Sequence, residues 1–351
     1  MTRAPACAVL PSRNEPATIA AVTRAVDAAL GDDRALIVHA DASDSPATAT
    51  AFAATPTRAR TLQLTGLPRG KGAQVLAALR RLQPGGPVLL ADTDTLHPEP
   101  AVYQALLDAV RAGAGMALAD YPRFWDEGNL TTHLARPLIA ATTGLDVPQP
   151  LAGDIALCAA AAADALVAAD NADRELAGSL DGYGIDVFLL LTAAAAGHTI
   201  TSVRLGAPKA HAPSFPHLPA IFAQAVPVLL ALTPRRPPRP APAAAYYRLA
   251  DRPLTEHHLQ GMLTALDALA PSGARYDSHP WPHHVAASWQ MVIGGQSPRT
   301  AAAYLWPHYL DRVRDWLTTA APSGHADRAR QLTAAHADLA DHLATVSWSS
   351  R

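Results

Sequence analysis

The spacing of apolar positions along this chain changes several times, and each change marks an element. Short apolar runs at residues 6–10, 35–39, 61–64, 88–91 and 116–119 have the length and polar boundaries of buried strands. Residues 17–30 place Thr18, Val22, Val26 and Leu30 at near-helical spacing, and residues 47–54 and 73–82 also read as helices. Strands alternating with helices predict an α/β layer fold up to residue 232. The pattern breaks at residues 233–245, where Pro-Arg-Arg-Pro-Pro-Arg-Pro-Ala-Pro suits neither a helix nor a central strand. Helical spacing resumes at 255–269, 298–319 and 326–346. The chain is thus expected to divide into a domain at 1–232, a Pro/Arg-rich linker at 233–246 and a helical region at 247–351.

Composition narrows the classes of function. The chain has 351 residues, 49% hydrophobic and 17% charged, which supplies a sizeable core and argues against disorder. A net charge of −2 offers no electrostatic basis for binding nucleic acid or an anionic membrane. The apolar stretch at 221–232 is interrupted by Pro227 and reads as too short to cross a bilayer. No signal-peptide pattern precedes the first strand, and Cys7 and Cys158 sit in apolar, Ala-rich surroundings as reduced core thiols would. The expectation is a soluble cytoplasmic protein.

Only two of the 28 lysine and arginine residues are lysines, and one of them, Lys71, stands between Gly70 and Gly72. Lysine is a compact point charge suited to a phosphate oxygen. The run at 88–91 ends in Asp92-Thr93-Asp94, two carboxylates at a strand mouth of the kind that hold a divalent cation bridging phosphates. Singly, these segments read more readily as a surface turn and a solvated loop. Together they predict a site for a metal-bound diphosphate such as that of a nucleotide-sugar. Thr255-Glu256-His257-His258 and the histidines His279, His283 and His284 invite a metal reading too. No Cys or carboxylate completes a ligand set there, so a helical surface is expected instead.

Further segments stand in order around these: Pro11-Ser12-Arg13-Asn14-Glu15, Asp41-Ala42-Ser43-Asp44, Leu134-Ala135-Arg136-Pro137-Leu138, Gln149-Pro150-Leu151-Ala152-Gly153-Asp154, Gly182-Tyr183-Gly184-Ile185-Asp186, and Leu205-Gly206 followed by His211. Over residues 6–215 the ordered set resembles the GT-A glycosyltransferases that make glucosyl-3-phosphoglycerate and mannosylglycerate. The resemblance implies a Rossmann-like α/β sandwich of GT-A type with a mostly parallel sheet, followed by a helical C-terminal region. It implies a metal-dependent hexosyltransferase that uses a UDP-sugar, with a GDP-sugar second, and retains anomeric configuration, the leaving phosphate taking the acceptor proton. Pro11, Arg13 and Glu15 would then line the nucleobase, where a carboxylate accepts the uracil N3–H. Asp41 and Ser43 would meet base and ribose, and Gly70, Lys71, Asp92 and Thr93 the diphosphate and ribose. Asp94 and His211 would ligate Mg²⁺ or Mn²⁺, with Asp92 beside them near ribose or a metal-bound water. The carbonyl of Leu151 and the side chains of Asp154 and Asp186 would sit at the reacting sugar. Gly128, Asn129, Thr131, Arg136 and Tyr183 would contact a small hydroxylated acceptor. A homodimer through the C-terminal helices completes the expected partners, with no nucleic acid and no membrane.

The chain departs from that pattern in two places. Asp154 and Asp186 stand where close relatives carry Glu in one or both positions, which leaves the sugar open. Each also has a structural alternative: Asp154 as the N-cap of a helix over the Ala-rich run 156–168, and Asp186 as a cap after the Gly-Tyr-Gly loop. Leu130 occupies the position of the relatives' phosphate-binding arginine, so either Arg123 or Lys209 replaces it or the acceptor carries no such phosphate. Tyr121, Phe124 and Trp125 form an aromatic patch suited to a cyclic acceptor, or else to a lid or core. Two other functions share the fold. A sugar-phosphate nucleotidyltransferase would begin with a Gly-rich loop instead of Pro11–Glu15. A non-catalytic nucleotide-binding protein would have no need to keep Lys71, Asp92, Asp94, Asp186 and His211 together.

Overall fold

The computed structural model describes residues 4–211, 215–233, 246–270 and 279–345. The Pro/Arg-rich segment 234–245 and residues 212–214 after His211 lie outside the described residues. The chain forms two compact units, the first from residues 1–121 and 151–213, the second from 122–150 and 214–351.

The first unit is built on β1 (Cys7–Ser12), β2 (Leu36–Asp41), β3 (Arg60–Leu64), β4 (Val88–Leu90) and β5 (Met116–Asp120), with two later strands at Ile155–Leu157 and Ile200–Arg204. These make one seven-stranded sheet in the order β3-β2-β1-β4, then 155–157, β5 and 200–204. The strand 155–157 runs antiparallel between β4 and β5, and every other pairing is parallel. Helices α1 (Ile19–Leu30), α2 (Ala47–Ala53), α3 (Lys71–Leu82) and α4 (Pro100–Arg111) connect the early strands. The expected sandwich with a mostly parallel sheet is thus present. Its core includes Val9, Leu10, Ile37, Val38, Leu89 and Ala117, all fully buried, with Val22, Val26 and Leu30 of α1 packed on it as their spacing predicts.

What positions the site is the pairing of β1. It lies parallel to β2 on one side and to β4 on the other, so the connections leave it in opposite directions. A crevice opens outside the carboxyl ends of the strands at such a reversal. Residues 11–15, 41–44 and 92–95 all issue from those ends.

The second unit pairs β6 (Arg123–Phe124) with a two-residue strand at Leu249–Ala250 and is otherwise helical. A π-helical turn at Thr131–Ala135 runs into α5 (Arg136–Thr143). In the first unit, α6 (Ala159–Asp170), α7 (Arg174–Leu180) and α8 (Gly184–Ala195) follow. The second unit then continues with α9 (Leu218–Leu232), α10 (Glu256–Leu269), α11 (Trp281–Ile293), α12 (Pro298–Ala320) and α13 (His325–Ala344). Its core is aromatic: Trp289, Tyr309 and Trp316 are almost wholly buried, and Trp316 Nε1 donates to the Trp125 carbonyl at 2.7 Å. The sequence division at residue 232 does not anticipate that 122–150 groups with the C-terminal helices. That grouping rests on long-range polar contacts such as Arg136 Nη1 to the carbonyl of Tyr246.

Phe215–Leu232 forms an 18-residue helical stretch, counting the turn before α9, with mean hydropathy 1.6. By length and composition it is long enough to cross a membrane, which corrects the shorter reading of 221–232. Its Phe222 packs on Trp306 and Tyr309 of α12 at 4.9 Å, as a core helix does. Cys7 and Cys158 are both free thiols.

Candidate active site

The loop ends of β1 and β2 are tied to each other before any ligand arrives. Ser12 at the end of β1 donates from Oγ to Asp41 Oδ1 at 3.2 Å, and Ser43 donates to the same oxygen from its backbone N–H at 3.1 Å and from its Oγ. Asn14, in the left-handed region at φ 60°, exchanges two 2.9 Å hydrogen bonds with Asp44 and donates from its N–H to Ser43 Oγ. Arg13 pairs with Asp44 at 3.2 Å, and Pro11 accepts from Thr93 Oγ1 at 2.8 Å. The predicted base and ribose residues Pro11, Arg13, Asp41, Ser43 and Thr93 are therefore neighbours. Thr93 itself is buried and fastens β4 to β1. Glu15 accepts from Thr18 Oγ1, and burial, with the negative charge of Asp94, holds its carboxyl above the usual range. The parallel pairing of β1 with β4, Val9 opposite Leu90, brings these two strand ends together.

Beneath this loop lies His39, fully buried, which sequence reasoning did not single out. Its ring stacks on Phe52, and because Ser12 donates to Asp41, His39 Nε2 donates to Ser12 Oγ at 2.6 Å. Among the described residues Nδ1 has no hydrogen-bond partner. Burial pushes the imidazole down to about 4, Asp41 offsetting part of the shift. The unfolded chain takes up this proton near pH 6.5 and the folded chain does not until near pH 4. Stability is therefore complete above pH 6.5 and is lost as pH falls toward 4, by roughly 3 kcal/mol. Denaturant titrations of wild type and His39→Gln between pH 7.5 and 4.5 check this; parallel curves would remove His39 as the source.

The charged centre forms where α3, β4 and α8 begin or end. Gly70 and Gly72 are required not by a ligand but by the chain at 180–182. A Cβ on either would strike the backbone of Leu180 or Asp181, and Gly70 sits at φ 128°. The N–H groups of Gly72 and Ala73 donate to Gly182 and Asp181, so the expected glycine turn is the first turn of α3 docked on the loop before α8. Lys71 consequently points into the site, 2.9 Å from Asp92 Oδ1 and 2.9 Å from Asp186 Oδ1. Burial disfavours its charge, yet Asp186 and Asp92 outweigh burial and hold it above the ordinary lysine range. Burial pushes the Asp186 carboxyl up to about 6, with Lys71 offsetting only part. Asp186 lies in the first turn of α8, whose N-cap is Tyr183, so it is not a cap.

Sequence reasoning offered Lys209 only as a stand-in for a missing phosphate clamp. The structure puts it at the centre, 2.9 Å from Asp92 Oδ2 and 2.8 Å from Asp154 Oδ2. Burial would raise Asp92, but Lys209 and Lys71 together hold it well below the usual carboxylate range. Asp154 does not cap a helix either: it precedes the strand 155–157, and α6 is capped by Cys158. Its buried carboxylate accepts from the N–H of Asp92 at 3.0 Å and from the Tyr121 hydroxyl at 2.9 Å. Gly153, two residues after Leu151, lies flat against the Asp92 carboxylate, where a Cβ would collide. Asp94 differs from all of these. Among the described residues it makes no hydrogen bond or ion pair, and burial, with the charge of Asp92, holds its pKa up. His211 lies across from Thr95 in an isolated bridge, with Leu96 N–H donating to the Ala210 carbonyl at 2.9 Å. Among the described residues no three His, Cys, Asp or Glu side chains form a ready metal cage.

Of the predicted acceptor residues, Tyr183 lies in the first unit, 36% exposed, and burial pushes its hydroxyl above the usual range, Lys71 offsetting part. Gly128, Asn129, Thr131 and Arg136 lie in the second unit. Arg136 is buried and bidentate on Asp146 at 2.6 and 2.8 Å, so its guanidinium is committed there. Asn129 and Thr131 are buried as well, and Asn129 donates to the Asp126 carbonyl. Leu130 is 5% exposed, a core position and not the surface site of a missing arginine. Trp125 is 2% exposed beneath the Arg328 guanidinium, and Phe124 lies under Arg252. Trp125 is thus core, and Tyr121 is tied to Asp154.

Comparison with solved structures finds the fold similar to that of glucosyl-3-phosphoglycerate synthase of Mycobacterium tuberculosis. The complex with Mn²⁺, UDP-glucose and glycerol 3-phosphate, and that with Mn²⁺, UDP-glucose and phosphoglyceric acid, are each 26% identical with TM-score 0.51. The UDP complex is 25% identical with TM-score 0.51. Each match covers 66% of this chain and 80% of that one. The fold is the GT-A fold of that synthase. No protein-family profile and no curated protein matches the sequence.

Proposed function

We propose that this chain is a metal-dependent retaining glycosyltransferase that moves a hexose from a nucleoside-diphosphate sugar, UDP in preference to GDP, to a small hydroxylated acceptor. The observation that carries the reading is Asp94: a half-buried carboxylate at the switch of the sheet with no direct ion pair among the described residues, where burial and the charge of Asp92 outweigh the attraction of Lys209 and His211. Mg²⁺ or Mn²⁺ fits there. Asp94 and His211 would hold the ion, and substrate phosphates and water would complete its oxygen shell. The ion would stabilise charge on the leaving diphosphate. Glu15, Asp41 and Ser43 would orient base and ribose. Asp186 and the Leu151 carbonyl would face the reacting sugar, while Asp154, fully engaged, holds the site together.

Thermal shifts with UDP-, GDP- and ADP-sugars, with and without Mn²⁺, test the donor. A ligand at about 100 times its dissociation constant stabilises by roughly 2.7 kcal/mol. Stabilisation by the UDP-sugar only with Mn²⁺ supports the reading, and equal shifts for all three donors refute its base specificity. Glu15→Ala should cost more UDP affinity than Glu15→Gln, because the amide can still present an oxygen to the uracil N3–H. Titration calorimetry reads both, and equal losses would remove Glu15 from base recognition.

The acceptor is proposed to lack the phosphate of the neighbours' ligands. Among the described residues of the first unit, Lys71 and Lys209 are engaged by Asp92, and within the second unit Arg136 is engaged by Asp146 and Arg252 by Asp126 and Glu127. Steady-state kinetics with saturating donor and Mn²⁺ should find 3-phosphoglycerate at least about tenfold poorer than a neutral hydroxyl acceptor, in line with one lost charge-assisted hydrogen bond. Efficient transfer to 3-phosphoglycerate would overturn this part of the reading.

A further inference from the structure

Both lysines of the chain end on one carboxylate. Lys71 holds Asp92 Oδ1 and Lys209 holds Asp92 Oδ2, each at 2.9 Å, and Gly153 closes a third side. A dication approaching the Asp92–Asp94 pair therefore meets one carboxylate with both oxygens taken and one with neither taken. Lys209 is 7% exposed and is held equally by Asp154, whose side chain is fully buried. To bind at Asp92 the ion would have to displace an ammonium that has no exposed place nearby and leave it without its partner, which is costly in a buried setting. Lys209 also stands two residues before His211. Its ion pairs fasten the loop after strand 200–204 to the end of β4, next to the Leu96–Ala210 hydrogen bond and the Thr95–His211 bridge.

Resting on the metal-dependent reading above, we infer that Lys209 is a positioning residue that decides where the metal binds: by occupying Asp92 and Asp154 it confines the ion to Asp94 and His211. It never touches the ion. Its charge closes the competing position and its backbone carries His211 to the open one. The arrangement is a form of specificity by exclusion, in which the wrong site is made repulsive and not merely less attractive.

Mn²⁺ titration into the UDP-saturated protein, with free Mn²⁺ read by electron paramagnetic resonance, tests it without relying on turnover. Lys209→Met removes the blocking charge, so Mn²⁺ should bind on the order of tenfold more tightly, the scale of one unit charge a few Å away, while kcat falls. Adding Asp92→Asn should abolish that gain. Because Lys209→Met leaves the buried Asp154 carboxylate without its cation and Asp92 with Lys71 alone, the charge-balanced Lys209→Met/Asp154→Asn variant is measured beside it and should show the same gain. Unchanged or weaker Mn²⁺ binding in the charge-balanced variant overturns the inference while leaving the proposed function standing. If the wild-type protein itself binds no Mn²⁺ with UDP present, the proposed function falls and this inference falls with it.

Discussion

Asp94→Ala is expected to lower sugar transfer by at least about a thousandfold, since a metal ion at a leaving diphosphate contributes several kcal/mol. The same change should leave the melting temperature of the ligand-free protein unchanged or raise it. Asp94 has no hydrogen bond or ion pair to lose among the described residues, and its carboxyl is held up by burial and by the charge of Asp92. Burial and that repulsion outweigh the attraction of Lys209 and His211, so removing the carboxylate relieves a net cost. A side chain whose loss stabilises the protein and destroys its activity serves function and not folding. The result that would sink the assignment is turnover by Asp94→Ala within tenfold of wild type. A large drop in melting temperature would instead show that the carboxylate has a structural partner outside the described residues. Mn²⁺-dependent UDP binding, measured on the same sample, should vanish with the activity.

The sheet was legible in the sequence where strands were long enough to show themselves. The runs at 6–10 and 35–39 fall on β1 and β2 because each is apolar for several residues and is bounded by polar loop residues, while 61–64 alternates as an edge strand does and falls on β3. The strand Ile155–Leu157 was not legible. It is three residues long, buried between β4 and β5, and its Ala156 continues an Ala-rich composition that reads as helix. The candidate site was legible as a set of loop segments, because polar residues gather at the carboxyl ends of parallel strands whatever the chemistry. Its wiring was not. Nothing local announces that Gly70 and Gly72 are glycines to admit the backbone of 180–182, or that Lys209 reaches across 117 residues to Asp92. The second unit was the least legible. Arg136 and Leu130 look like surface candidates by type and position. Both are buried, because residues 122–150 group with C-terminal helices, the first of which, α9, begins only at Leu218. Composition marks the Pro/Arg-rich break clearly, but contacts made at such range leave no trace in periodicity.

Lys71→Met should have the largest effect on stability of any single change at the site, about 3–5 kcal/mol, because it leaves the buried Asp186 carboxylate without a cation and beside Asp92, which keeps only Lys209. Methionine keeps the length and flexibility of the stem, so the loss belongs to charge and not to volume. Asp186 would escape by protonation more readily than Asp92, since its carboxyl is already pushed up to about 6 while Lys209 still keeps Asp92 ionised. The variant should accordingly recover part of its stability as pH falls from 7 toward 5.5, a direction opposite to that set by His39 in the wild-type protein. Lys71→Met/Asp186→Asn should recover most of the loss at pH 7, because it restores the charge balance and keeps a hydrogen-bonding group at the start of α8. Denaturant unfolding of the three proteins at pH 7 and 5.5 measures all of this. Unfolding of Lys71→Met within about 1 kcal/mol of wild type would mean that the two carboxylates are neutralised by something other than Lys71. In that case the lysine is free to move to a phosphate without cost to the fold.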